Sequence, residues 1–63
     1  MTYTFDMTDY SDERAVVAER ALYNLGGVQS VDVDRTSETI TVNSTLSYGE
    51  VLDAIRSAGV GAK

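Results

Sequence analysis

One pattern occurs twice in this chain: Ala21-Leu22-x-x-Leu25-Gly26-Gly27-Val28 is echoed by Ala54-Ile55-x-x-Ala58-Gly59-Val60. Apolar residues at helical spacing run into glycine and then valine, which reads as a helix that packs one face, stops, and hands the chain to a strand. The segments around the two copies complete the reading. Tyr3, Phe5 and Met7 alternate with Thr2, Thr4 and Asp6, the period of a half-buried strand over 2–7. Ser11 is a good helix N-cap, with Asp12 and Glu13 placed in the first turn against the positive end of the helix dipole. From Asp12 to Leu25 no breaker intervenes, and Ala15, Ala18, Ala21, Leu22 and Leu25 share one face. Val28, Val31 and Val33 predict a second strand, with Ser30, Asp32 and Asp34 on its other side. Arg35-Thr36-Ser37-Glu38 supplies a hairpin turn, after which Ile40 and Val42 alternate with Thr39, Thr41 and Asn43. Ser47 and Glu50 form a capping-box pattern, preceded by Leu46, which can staple onto Val51. Val51, Leu52, Ile55 and Ala58 give the second helix its apolar face, Gly59 stops it, and Val60–Lys63 leaves room for a short last strand.

A doubled β-α-β unit predicts an α+β chain: a ferredoxin-like βαββαβ sandwich, a four-stranded antiparallel sheet with two helices on one face. At 63 residues it makes one domain, 1–63. Strand parity places Thr2, Thr4, Asp6, Ser30, Asp32, Asp34, Thr39, Thr41 and Asn43 on the open face of the sheet. RNA-binding modules of this topology stack bases on exposed aromatics among basic residues. Here Tyr3 and Phe5 face the core, and ten acids against five bases give a net charge of −5, so neither nucleic acid nor an anionic membrane is an expected partner. With no Cys, no His and one Lys, at position 63, no nucleophile–base pair can be assembled, and an enzyme is not expected. No apolar run is long enough to span a bilayer, and Met1-Thr-Tyr-Thr-Phe-Asp lacks the basic start and apolar block of a secretion signal, so a cytoplasmic location is expected.

The segment from Ala18 to Gly59, about two-thirds of the chain, resembles the heavy-metal-associated (HMA) domain of copper chaperones and metal-pumping ATPases. The residues that carry the resemblance are Ala21-Leu22-x-x-Leu25-Gly26-Gly27-Val28-x-x-Val31-x-Val33-Asp34, Thr39-Ile40-Thr41-Val42, and Val51-Leu52-x-Ala54-Ile55-x-x-Ala58-Gly59. The family's Met-x-Cys-x-x-Cys loop opens the first helix, and its two thiolates bind soft ions such as Cu(I) or Zn(II). No thiol ligand carries over, because this sequence has no Cys. Matching Met7-Thr8 to the motif puts Asp9 and Asp12 at the cysteine positions. Matching backwards from Leu25-Gly26-Gly27-Val28 puts Ser11 and Arg14 there, and this anchor is the better supported, since a gap inside the helix would rotate its core face.

These positions yield two readings. The first is an HMA-like domain that has lost thiol metal binding and serves as a protein-interaction or self-association module, with no cofactor and an unidentified protein partner or a second copy. Its candidate contact residues are Val16 and Tyr23, seven apart on the polar side of the first helix, and Tyr10 on the altered loop. The second is a metal-binding or delivery protein that holds a divalent hard cation on Asp9 and Asp12, with Asp6 or Glu13 adjoining. Tight oxygen sites need about six donors, and the regular Asp-x-Asp-x-Asp of a calcium loop is missing. Asp32 and Asp34 read as a solvated strand face. Four of the five bases are Arg, and an acidic, Lys-poor surface is what a high-salt cytoplasm selects. The melting temperature is therefore expected to rise from low to molar salt as repulsion among the acids is screened. A flat dependence in a thermal melt series would count against salt adaptation.

Overall fold

The alternating segments form three strands, β1 (Thr2–Asp6), β2 (Val28–Asp34) and β3 (Thr39–Ser44), and the breaker-free runs form α1 (Asp12–Tyr23) and α2 (Tyr48–Ser57). The computed structural model describes all residues from Met1 to Lys63. The strands make one antiparallel sheet in the order β1-β3-β2. Register across β3 sorts the side chains into rows. Thr2–Asn43–Ser30, Thr4–Thr41–Asp32 and Asp6–Thr39–Asp34 cross the sheet on one parity, and Tyr3–Val42–Val31 and Phe5–Ile40–Val33 on the other. The first set is the predicted polar face, and the Thr4 and Thr41 hydroxyls meet on it at 3.2 Å. The second set is the floor of the core. In β2 a bulge between Val28 and Ser30 resets the alternation, which lets Val28 and Val31 pack on the same side despite their opposite parity.

On that floor α1 lays Ala15, Ala18 and Leu22, and α2 lays Val51 and Ile55. Phe5, Leu22, Ile40, Val42, Val51 and Ile55 are wholly buried. Each such side chain contributes about 1.5–3 kcal/mol by leaving water, the main stabilisation open to a chain with no disulfide. Tyr48 covers Phe5 at a ring distance of 4.9 Å and meets Tyr3 edge-on at 5.7 Å, while the Tyr3 hydroxyl donates to Leu46 O at 2.9 Å. Both helix starts follow the sequence: the Ser11 hydroxyl accepts from Arg14 N–H, and Ser47 and Glu50 make the reciprocal capping box. Gly59 (φ +86°) follows the Ala58 cap of α2 as predicted.

Two expectations are corrected. The sheet has three strands, not four. Residues 60–63 contribute a single bridge, Met7 to Ala62, flanked by reciprocal bonds between Asp6 and Lys63 at 3.0 Å, although Val60 and Ala62 are buried in the core. Pairing with the chain after β1 goes no further because Gly61 N–H is taken by the Asp9 carboxylate at 2.9 Å rather than by a backbone carbonyl. The first helix also ends at Tyr23 rather than Leu25, capped at Asn24, whose N–H returns to Arg20 O. The left-handed residue is Gly27 (φ +97°), three positions past the cap. A side chain there would press on Thr45 Oγ1 at 2.7 Å, where Thr45 N–H donates to Gly27 O.

The hairpin turn holds a residue under strain. Asp34 accepts from Thr36 N–H at 2.9 Å and Ser37 N–H at 3.3 Å, so it organises the turn as well as lining the open face. Hydrogen bonding from the Ser37 side chain, then from the Ser37 and Thr36 backbone, holds its carboxyl below the ordinary 3.8. The turn closes through Glu38 at φ +56°, a left-handed conformation that disfavours a Cβ-bearing residue other than Asn or Asp. Glu38→Asn or Glu38→Gly is expected to raise stability in urea unfolding by about 0.5–1 kcal/mol. A loss of stability in both variants would show that the Glu38 side chain, not its backbone, matters to the turn.

Candidate functional site: the loop that opens the first helix

Residues 7–11 carry the chain from β1 to α1, and the predicted positions on and just after them fall into two groups. The Arg14 guanidinium lies 3.1 Å from Asp9 Oδ2 and donates to Gly59 O at 2.9 Å. Gly59 O sits just past the end of α2, where the helix dipole is negative, so the cation is held by a carboxylate and a helix terminus together. Asp9 Oδ1 accepts from Gly61 N–H at 2.9 Å, and Thr8 N–H donates to Gly61 O at 3.0 Å. The loop before α1 is thus clasped to the turn after α2. Gly61 permits the approach: a Cβ there would collide with Thr8 Oγ1 and lie 2.8 Å from Asp9 Oδ1.

Asp12 belongs to a different pair. Its carboxylate accepts from the Tyr10 hydroxyl at 3.2 Å and from Arg35 Nη2 at 3.3 Å, and Arg35 Nε lies 3.2 Å from its other oxygen, an ion pair reaching in from the hairpin turn. Partial burial, and then the Asp12 carboxylate, push the Tyr10 hydroxyl above its ordinary 10.0. The Asp12–Arg35 side chains are largely in water, at 70% and 75% exposure, and such a pair contributes at most about 1 kcal/mol. Its effect is to position the two groups.

By either match to the family motif, the ligand positions therefore have partners within the chain. Asp9 is held by Arg14 and Gly61, Asp12 by Tyr10 and Arg35, Ser11 caps α1, and Arg14 spans Asp9 and Gly59. No group of three or more His, Cys, Asp or Glu side chains is arranged to hold a metal ion. Asp6 lies in the polar row with Thr39 and Asp34, while Asp32 faces Thr41 on the same open face.

The candidate contact residues divide. Tyr10 and Val16 line one shallow groove of about 270 Å³ with Ala15, Val33 and Arg35, between α1 and β2. Tyr23 does not join them: its ring is half exposed, but its hydroxyl accepts from Val31 N–H at 3.1 Å on the outer edge of β2. Sequence reasoning missed three features. Arg35 as the partner of Asp12 leaves no local signal, the residues being 23 apart. The close approach at Gly61 likewise depends on a contact 52 residues distant. A groove of about 550 Å³ between α1 and α2, walled by Leu25 and Leu46, was signalled only by the small residues Ala21, Ala54 and Ala58. No helix is long and apolar enough to cross a membrane.

Neither a protein-family model nor a curated protein matches the chain. Solved structures do match. The N-terminal domain of PacS from Synechocystis PCC6803 is 26% identical, with a TM-score of 0.87 over 100% of this chain and 94% of that one. The N-terminal domain of a potential copper-translocating P-type ATPase from Bacillus subtilis, in its Cu(I)-loaded state, is 24% identical, with a TM-score of 0.87 over 98% and 82% of the two chains. The CopZ metallochaperone is 21% identical, with a TM-score of 0.87 over 100% of both. The chain thus has the fold of the HMA domains of copper chaperones and P-type ATPases, without a cysteine to build their Cys-x-x-Cys motif.

The clasp yields a direct test. Gly61→Ala is expected to cost about 1–3 kcal/mol of stability through the collision with Thr8. Removing the obstructing hydroxyl in Gly61→Ala/Thr8→Ala should return part of that loss. Equal stability of the single and double variants in denaturant titration would locate the strain elsewhere.

Proposed function

We propose that this chain is a non-catalytic protein-interaction module on the HMA fold, which meets a protein partner through the end of the molecule where the loop opens α1 and carries no soft metal there. The observation that carries the reading is that Asp9 and Asp12 are each bound by an arginine, Arg14 and Arg35. A cation entering at either carboxylate would face a guanidinium and would have to displace it. Beside these pairs, the groove of Tyr10, Ala15, Val16 and Val33 leaves apolar surface in water, with Val16 at 49% exposure. The combination keeps a shaped, partly apolar surface where the similar copper proteins keep thiol chemistry. Protein-interaction grooves of this kind gain affinity from a few buried anchors, and a Tyr beside an Arg suits that role.

Photo-cross-linking tests it. Benzoylphenylalanine replacing Tyr10, in the cells that produce the protein, should give a discrete protein adduct that disappears in the Val16→Asp background and persists with Val17→Asp. An adduct of twice the chain's mass would identify the partner as a second copy. Adducts no more frequent than from the same probe at Gln29 would overturn the interaction reading. Dialysis against Mg²⁺, Ca²⁺, Zn²⁺ and Cu(I), followed by elemental analysis, addresses the alternative. Stoichiometric retention of an ion, abolished by Asp9→Asn/Asp12→Asn, would replace the proposal with a carboxylate metal carrier.

A further inference from the structure

β2 is an edge strand whose only strand neighbour is β3. In an antiparallel ladder the backbone groups of successive residues point alternately toward the partner and away from it. Val31 N–H points away, because its hydrogen bond goes to the Tyr23 hydroxyl at 3.1 Å. By the same period the N–H and C=O of Val33 share that outward direction. Such a row is a template on which another strand can pair. Tyr23, the last residue of α1, reaches across the middle of this row while the residue stays half exposed.

A second feature guards the same edge. Asp32 and Asp34 lie on the open face of β2. If a second copy paired antiparallel with this edge, two of the registers that bring outward-bonding residues together would set aspartates face to face, while Val31 opposite Val31 puts Asp32 opposite Ser30 and leaves that register to Tyr23. Val31 opposite Val33 puts Asp32 opposite Asp32, and Val33 opposite Val33 puts Asp32 opposite Asp34. Like charges directly opposite destabilise such pairs. We propose that Tyr23, by occupying the Val31 N–H, and Asp32 with Asp34, by repulsion, together guard the β2 edge against strand pairing with a second copy of this chain. This guard is separate from the groove at Tyr10 and stands whether or not that groove binds a partner.

The test removes one oxygen. In Tyr23→Phe the Val31 amide loses its acceptor, and its hydrogen exchange, read by NMR against Val42 in the central strand, is expected to accelerate between about two- and tenfold. The wild type should show no association through the β2 edge at any concentration or salt level, its Val31 and Val33 amides exchanging alike in dilute and concentrated solution. In sedimentation Tyr23→Phe should give a concentration-dependent dimer, more of it at high salt, where the aspartates are screened. Adding Asp32→Asn to Tyr23→Phe should bring the dimer into low salt, whereas Asp32→Asn alone should sediment as the wild type does. Three results would overturn the proposal: unchanged Val31 exchange in Tyr23→Phe, sedimentation of both Tyr23→Phe and the double variant unchanged from the wild type in all conditions, or a wild type already dimeric through β2.

Discussion

The register of β3 between its two neighbours is the constraint from which the rest of the molecule follows. Because side chains alternate along a strand, one pairing decides two faces at once. With Phe5 opposite Ile40 and Val31 opposite Val42, the large apolar residues of the sheet form one floor, and both helices have a single surface to cover. A slip of one residue in β3 would place Thr39, Thr41 and Asn43 under the helices and carry Ile40 and Val42 into water. The loss of several buried aliphatic side chains, at about 1.5–3 kcal/mol each, is comparable to the whole stability of a small domain. The hairpin turn reinforces the register, with Asp34 tying down Thr36 and Ser37 even though Glu38 must adopt a left-handed backbone.

The end of the molecule that carries the α1 loop is organised by a different kind of force. A soft ion between two thiolates would be a compact cross-link; here the loop is held by charge-assisted hydrogen bonds to distant segments. Arg14 reaches the end of α2, Asp9 the turn beyond it, and Arg35 comes from the hairpin to Asp12. Each contact is partly in water and individually weak, and together they fix four side chains without a ligand. The same contacts end the pairing beyond β1, since Asp9 takes the Gly61 N–H that a longer ladder would use. Loop chemistry and the shortened fourth strand are therefore one feature seen from two sides.

The surfaces left over have distinct characters. The open face is a grid of Thr, Asn, Ser and Asp with no aromatic residue. The flank between α1 and β2 is mixed, with Tyr10, Val16 and Val33 set beside the Asp12–Arg35 pair. Farther along the same flank, Tyr23 uses its hydroxyl on the strand edge, so two residues that share a helix side have different tasks.

The order of elements, the core residues, the two N-caps and the polar face of the sheet were legible in the sequence, because each depends on local periodicity or on residues three or four apart. Ser47 with Glu50, and Ile40 with Val42, announce their roles without reference to the rest of the chain. The absence of cysteine likewise excluded a thiol site from the sequence alone. Tertiary structure decided what depends on contacts between distant segments. Arg14 reads in sequence as a residue standing at a cysteine position of the family motif, and in space it pairs with Asp9 and Gly59. Tyr23 reads as a free apolar residue, and in space its hydroxyl meets Val31. Val60–Lys63 reads as a strand, and in space it yields one bridge because a carboxylate intercepts the next donor. Periodicity records which face a residue turns to the core, whereas the partner of a polar group is set by which segments the fold brings within hydrogen-bond reach.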